Sequence, residues 1–194
     1  MNKKVIVLLM ILGLFITGWS CWGNIKIAFN KNKTNPHMAG IISTVSLAYS
    51  YNSLQELTEA SDLVVEVIVK GIEKEVPKID SSYYAVHVEN TIKGKAEQDI
   101  IVKQDGIQTE EEKSGKIRVW RDSPLMNIGD QYILFLKKAT EENTYYIAGE
   151  YQGKYKIVEE KVYSVDQDKE REAYVNGEGI EEFKEAVQKN VSSY

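Results

Sequence analysis

The sequence predicts a mainly β fold, a small antiparallel β-barrel or sandwich with one short N-terminal helix and a C-terminal helix, preceded by an N-terminal membrane helix. Three observations carry this expectation. Short runs rich in Val, Ile and Tyr recur from Leu63 to Val165, each ended by turn residues, which is the spacing of an all-β domain rather than of alternating β-α units. Helical signals follow Ser53 and Ile180. An uncharged stretch of 21 residues, Val5 to Ile25, follows Lys3-Lys4. A chain of 194 residues suits one domain with an appendage. The divisions expected are a membrane anchor or signal segment over 1–25, a spacer over 26–39 and an extracytoplasmic β-rich domain over 40–194.

As a helix the first apolar stretch would reach about 30 Å, the thickness of a bilayer hydrocarbon core. Trp19 and Trp22 sit where interfacial aromatics belong, which favours an uncleaved anchor. Two other fates compete. Gly18-Trp19-Ser20-Cys21 resembles a bacterial lipoprotein box, in which Cys21 would become the lipidated amino terminus. Simple cleavage there meets a poor match, with Trp where small residues are wanted. Lysines lie on both sides of the stretch, so the positive-inside rule barely discriminates; basic–apolar N-terminal segments usually act as export signals, which puts the body outside. The Asn/Lys-rich stretch that follows, with Pro36, reads as a spacer.

Period-two alternation from Gly40 to Tyr51 predicts an extended strand. Ser53 and Glu56 form a capping-box pair that starts a short helix burying Leu54, Leu57 and Ala60. Strands are then expected over 63–72, 83–92, 99–104 and 117–120, the first broken before Pro77. After Gly129-Asp130 comes QYILFLKK, nearly continuous in apolar residues and suited to a central strand. TYYIAG (144–149), KYKIV (154–158) and KVYSV (161–165) complete the set, the last two joined by a hairpin around Glu159-Glu160. In IEEFKEAVQKNV, Ile180, Phe183, Val187 and Val191 share a helical stripe; Glu181 and Glu182 lie in the first turn and Lys189 near the end, as the helix dipole favours.

The charge is uneven: five lysines and no acid precede Glu56, and the rest carries 19 basic against 29 acidic residues, net −10. Such a body repels phosphate backbones, so no nucleic-acid partner is expected, although an acidic fold can hide a local basic stripe. The single cysteine, Cys21, makes no internal disulfide, and His37 and His87 lack metal-ligand spacing, so neither metal nor cofactor is expected. TEEEKSG (109–115) lacks the oxygen spacing of a calcium loop. Gly149-x-x-x-Gly153 lacks the Lys-Ser/Thr and helix of a phosphate loop and suits a sheet corner. No Ser/Cys, His and acid pattern marks a catalytic site. Four of the twelve tyrosines, Tyr145, Tyr146, Tyr151 and Tyr155, fall within eleven residues. They could present amphipathic rings to a protein or sugar partner, or alternate into the core.

A helix ending SDLVV, a strand ending IKG, the segment DSPLMNIGDQYILFLKK and the segment GEYQGKYKIV together resemble a loosely defined group of exported or lipoprotein-like proteins of Gram-positive bacteria. The resemblance spans about residues 53–165 and implies a small closed barrel similar to the OB-like domains of netrin and metalloproteinase-inhibitor proteins. It transfers no catalytic residue, and inhibition through an N-terminal cysteine is excluded for a body without one. The expected function is that of a non-enzymatic, membrane-tethered extracytoplasmic binding module, using the tyrosine region and the DSPLMN loop. The alternatives are a cell-envelope hydrolase with dispersed acids or a Ser–Lys pair, and an accessory subunit of a membrane complex.

Overall fold

The computed structural model describes residues 49–107, 123–166 and 168–192. In chain order these form α1 (Leu54–Ala60), β1 (Leu63–Val76), β2 (Ser81–Lys93), β3 (Asp99–Asp105), β4 (Gln131–Lys138), β5 (Thr144–Ile147), β6 (Lys154–Val158), β7 (Lys161–Ser164), β8 (Asn176–Gly179) and α2 (Ile180–Val191), with a 3-10 turn at Pro77–Ile79 between β1 and β2. The expected membrane helix, Cys21, the spacer, most of the Gly40–Tyr51 strand, TEEEKSG and IRVW lie outside the described residues. Among those described, no helix is long and apolar enough to cross a membrane.

Five strands close a barrel in the order β1-β2-β3-β5-β4, with β4 returning to pair with β1. Closure rules out the sandwich. It also corrects the expectation of a wholly antiparallel sheet, because β3 and β5 run parallel, Ile101 opposite Thr144 and Lys103 opposite Tyr146. Parallel neighbours cannot share a hairpin; here the chain passes through β4 before β5 turns back beside β3. Outside the barrel, β6, β7 and β8 extend the sheet from β4.

The far edge of β4 is divided between two strands. Gln131 to Leu134 pair with β6 and Leu136 to Lys138 with β5. Phe135 stands at the divide: its N–H donates to Gly153 O and its carbonyl accepts from Ala148 N, both at 2.8 Å. A Cβ at Gly153 would lie 2.6 Å from Ala148 O and 2.9 Å from Phe135 O, so the two chains can part only where no side chain intervenes. This is the sheet corner expected of those glycines.

Strand alternation divides the apolar residues into two cores. Leu63, Val65, Val67 and Val69 of β1 and Tyr132, Leu134 and Leu136 of β4 point inward with Tyr84, Val86, Ile100 and Val102, and Met126 joins them from the loop before β4. The intervening Val64, Ile133 and Phe135 point outward and meet Leu57 of α1, Tyr155 and Val162 of the extension and Phe183 and Val187 of α2. Both helices therefore lie against the outside of the β1–β4–β6 wall. In α1 the Ser53 side chain accepts from Glu56 N, and Glu56 reaches back to Asn52 N. The helix α2 is fastened by Lys184, whose ammonium is 2.6 Å from Glu66 of β1 and 3.0 Å from Glu181.

Two elements exceed the sequence pattern. β1 continues to Val76 through several register shifts, carried by pairing with Ser81 to Tyr84 rather than by apolar alternation. β8, Asn-Gly-Glu-Gly, has no strand composition and is held by its ladder to β7. The β6–β7 hairpin turns at Glu159 and Glu160, both with positive φ (51° and 60°), a conformation that such turns usually assign to Asn and Gly.

Candidate binding face

On the outside of the barrel, cross-strand register runs a band through all five barrel strands. Lys74 of β1 faces Tyr83 of β2, Tyr83 faces Lys103 of β3, Lys103 faces Tyr146 of β5, and Tyr146 faces Lys137 of β4. Their neighbours along the strands, Tyr84, Val102, Tyr145 and Leu136, belong to the inner core, so period two turns this row outward. The row alternates Lys and Tyr and contains no acid. The Lys74 ammonium sits 4.3 Å from the centre of the Tyr83 ring, a cation–π contact that holds the lysine in place and covers the tyrosine. One step along the strands lie Gly71, Ala85, Ile101 and Thr144, and a Cβ built on Gly71 would meet open space.

At the β4–β5 end of the row a cleft of about 150 Å³ is lined by Tyr49, Tyr51, Tyr146, Lys137, Gly149 and Glu150. It is smaller than the roughly 300 Å³ at which pockets for drug-sized ligands begin, and suits one ring or one side group of a larger partner. Tyr49 is 75% exposed and Tyr146 44%. Glu150 has a positive φ of 55°, an unfavourable conformation for a residue with a side chain. Its carboxyl is raised above the ordinary range by burial and by Asp105, against the pull of Lys154 and Lys103.

The four tyrosines singled out by sequence proximity are divided by the fold. Tyr146 is at the cleft. Tyr145 points into the barrel core and Tyr155, fully buried, packs between Phe135 (centroids 5.5 Å) and Phe183 (4.8 Å) and donates its hydroxyl to Ala173 O at 3.0 Å. Alternation turns Tyr145 into the barrel, and Tyr155 is taken up by the apolar layer between the barrel and α2. Tyr151 is half-buried in the turn between them. The rings that do join Tyr146, Tyr49 and Tyr51, come from before α1, and nothing in local sequence links them to it.

Next to the cleft, where β5 and β6 separate, the gap in the wall is filled by polar groups. The ammonium of Lys154, fully buried, donates to Pro124 O, and Gln104 donates to the same carbonyl at 3.0 Å and to Ser123 Oγ at 3.3 Å while accepting from Met126 N. Burial pushes the Lys154 ammonium down to about 7, only partly offset by Glu150. The loop 123–127 thus acts as a plug: Ser123 and Met126 are buried, and the lysine donates its hydrogen bond to a backbone carbonyl.

The entry to the domain is clamped beside the cleft. Tyr51 N donates to Gln152 Oε1 at 2.9 Å, Arg171 donates to Tyr51 O at 2.7 Å, and Ala173 N donates to Asn52 O at 3.1 Å. Arg171 also forms a buried ion pair with Asp166 at 2.5 Å, off line for a hydrogen bond. His87 bonds Asp99 at 2.8 Å across β2 and β3. Among the described residues no cluster of three His, Cys, Asp or Glu could hold a metal ion. No family model matches the chain, and no curated protein matches it.

Proposed function

We propose that this protein is a non-enzymatic binding module, tethered to the membrane through residues 1–25 with its barrel outside the cytoplasm. The observation that carries this reading is the division of the barrel's outer surface. Part of it is sealed by two helices, while elsewhere Tyr49, Tyr51, Tyr146 and Lys137 line an open cleft. Exposed aromatic rings beside cations on a rigid sheet are the groups that anchor partners at low entropic cost. The apolar stretch with its interfacial tryptophans, Cys21 as a candidate lipidation site, and the resemblance of residues 53–165 to exported proteins support the placement. The polar groups nearest a hydrolytic arrangement, Ser123, Lys154 and Gln104, are spent on closing the barrel wall, which favours binding over catalysis.

Co-sedimentation of full-length protein with purified insoluble envelope material tests the reading. Wild type is expected in the pellet and Tyr146→Ala in the supernatant. Equal pelleting of the two, or labelling of the barrel lysines only after cells are opened, would sink it.

A further inference from the structure

Resting on that binding-module reading, we propose that the cleft bounded by Tyr49, Tyr51 and Tyr146 takes a quaternary ammonium carried with an anionic phosphate, a ligand of the phosphocholine class. The two charged side chains of the cleft define the ligand's charge. Among the described residues, neither the Lys137 ammonium nor the Glu150 carboxylate has a hydrogen-bond or ion-pair partner, and they do not pair with each other. Asp105, Lys154 and Lys103 act on Glu150 only at a distance. A half-buried charge without a partner is costly, and two of opposite sign in one cleft are answered together by a guest that carries both signs. A bare cation would leave Lys137 unmatched, an anion would meet Glu150, and a neutral guest would leave both as they are.

The lining defines the cationic end. Tyr146 stands on β5 opposite Lys137 of β4. Tyr51 enters from the chain before α1, and its ring lies so close over Gly149 that a Cβ there would come within 3.0 Å of it. Glycine at this position therefore seats the ring. Tyr49 adds a third, exposed ring. Ring faces attract a cation electrostatically, the more so where water is partly excluded. An ammonium with N–H groups would also ask for acceptors, and carbonyls on this lining are already engaged: Tyr51 O with Arg171, Ile147 O with Glu150 N at 3.3 Å and Gly149 O with Gln152 N at 2.9 Å. A quaternary ammonium asks for none. A sugar, with hydroxyls around its edge, would meet the same shortage. Size agrees: the cleft, at about 150 Å³, has the volume that admits a benzene molecule, and a trimethylammonium head is of similar size. The phosphate, one ethylene link away, is left for Lys137.

The test is titration calorimetry of the full chain in maltoside micelles with phosphocholine, choline and phosphoethanolamine. Phosphocholine is expected to bind, and the other two about tenfold more weakly, choline for want of the phosphate and phosphoethanolamine for want of the methyl groups. Glu150→Gln and Tyr146→Ala should each weaken phosphocholine about tenfold, while Tyr146→Phe keeps it. Lys137→Gln should bring phosphocholine down to the level of choline and leave choline unchanged. Lys161→Gln on β7 should change nothing, and matching melting temperatures would show that the variants fold. Absence of phosphocholine binding, or binding indifferent to Tyr146 and Glu150, overturns the proposal. So does phosphoethanolamine binding as tightly as phosphocholine, which would make this a site for primary amines, and choline binding as tightly overturns the part given to Lys137 and the phosphate. The source of the group is read with the full chain in phosphatidylglycerol vesicles. If phosphatidylcholine in the same vesicles abolishes binding of soluble phosphocholine, the group is a lipid headgroup; if binding is unchanged, it is a soluble or polymer-borne one. Should phosphocholine fail while envelope co-sedimentation still depends on Tyr146, the ligand is wrong and the binding module stands; if co-sedimentation is also indifferent to Tyr146, that reading falls with it.

Discussion

The two outer walls of the barrel are built from the same alternating strands and treated in opposite ways. On β4, Ile133 and Phe135 point outward into an apolar layer under α1, α2 and β7, whereas Lys137, two residues further on, points outward into the cleft. Within one strand the environment changes from sealed to open at the divide between β6 and β5. The apolar layer gains its stability from removing surface from water, about 25 cal/mol per Å² of apolar area. The open wall gains little in that way and is free to carry cations and rings. Stability and the proposed recognition thus fall on different stretches of the same outer surface, and five variants test that separation.

The largest effect belongs to Phe135→Ala. The ring is fully buried against Tyr155 and Phe183, so its loss should cost about 3–5 kcal/mol in a urea melt, through lost transfer energy and a cavity. A cost below about 1 kcal/mol would mean that the apolar layer does not seal this wall. Lys154→Met comes next and acts at the gap between the walls. The folded lysine titrates near 7 and the unfolded one near 10.5, so the unfolded chain binds the extra proton between those values. Stability of the native protein therefore rises with pH across that window, on the order of a few kcal/mol from this group. Below about 7 the buried charge imposes its full cost. The methionine variant should lose that rise and be the more stable protein at neutral pH, since Gln104 still donates to Pro124 O. An unchanged pH slope would show that Lys154 is not buried as described.

A third comparison uses strained glutamates on the two sides. Replacing Glu159 with Asn and Glu160 with Gly in the β6–β7 hairpin should raise stability by about 1 kcal/mol or more and leave envelope binding untouched. Glu150→Gly at the cleft should also gain about 1 kcal/mol but diminish binding, because Glu150 lines the proposed recognition cleft. Equal binding by both variants would separate the cleft from recognition. The smallest stability effect is expected for Tyr146→Ala, about 0.5 kcal/mol or less by thermal melt, despite the large loss of binding.

What could be read from the chain follows from how local each signal is. QYILFLKK and the C-terminal helix IEEFKEAVQKNV coincide with β4 and α2, because a long apolar run and a 3.6 periodicity are properties of consecutive residues. The Ser53–Glu56 cap is equally local. β8 has two glycines in four residues and exists only because β7 offers it a ladder. The parallel β3–β5 pair and the division of β4 depend on topology that periodicity does not encode. The candidate site shows the same limit: the tyrosine cluster is conspicuous by proximity, but Tyr145 enters the barrel core, Tyr155 the apolar layer under α2, and Tyr146 alone of these three meets Tyr49 and Tyr51 at the cleft. The Lys–Tyr row draws one residue from each of five strands spread over positions 74 to 146, so it becomes visible only with the register.

The clamp at Tyr51 and Asn52 has a mechanical meaning. A pull on the residues that precede the domain arrives first at Ser50, whose hydroxyl accepts from Gln152 Nε2 at 3.2 Å, then at Tyr51, where Gln152 and Arg171 grip its amide and its carbonyl, and then at Asn52, held by Ala173. Those four bonds run to the turn beside the cleft and to the loop before β8, not to the ladders of the closed barrel. Tension is therefore taken up by a few bonds that can give way while every ladder of the barrel stays zipped. The same bonds position Tyr51 in the cleft, so their failure under load would reshape the cleft before the domain itself unravels, making the entry clamp a mechanical fuse.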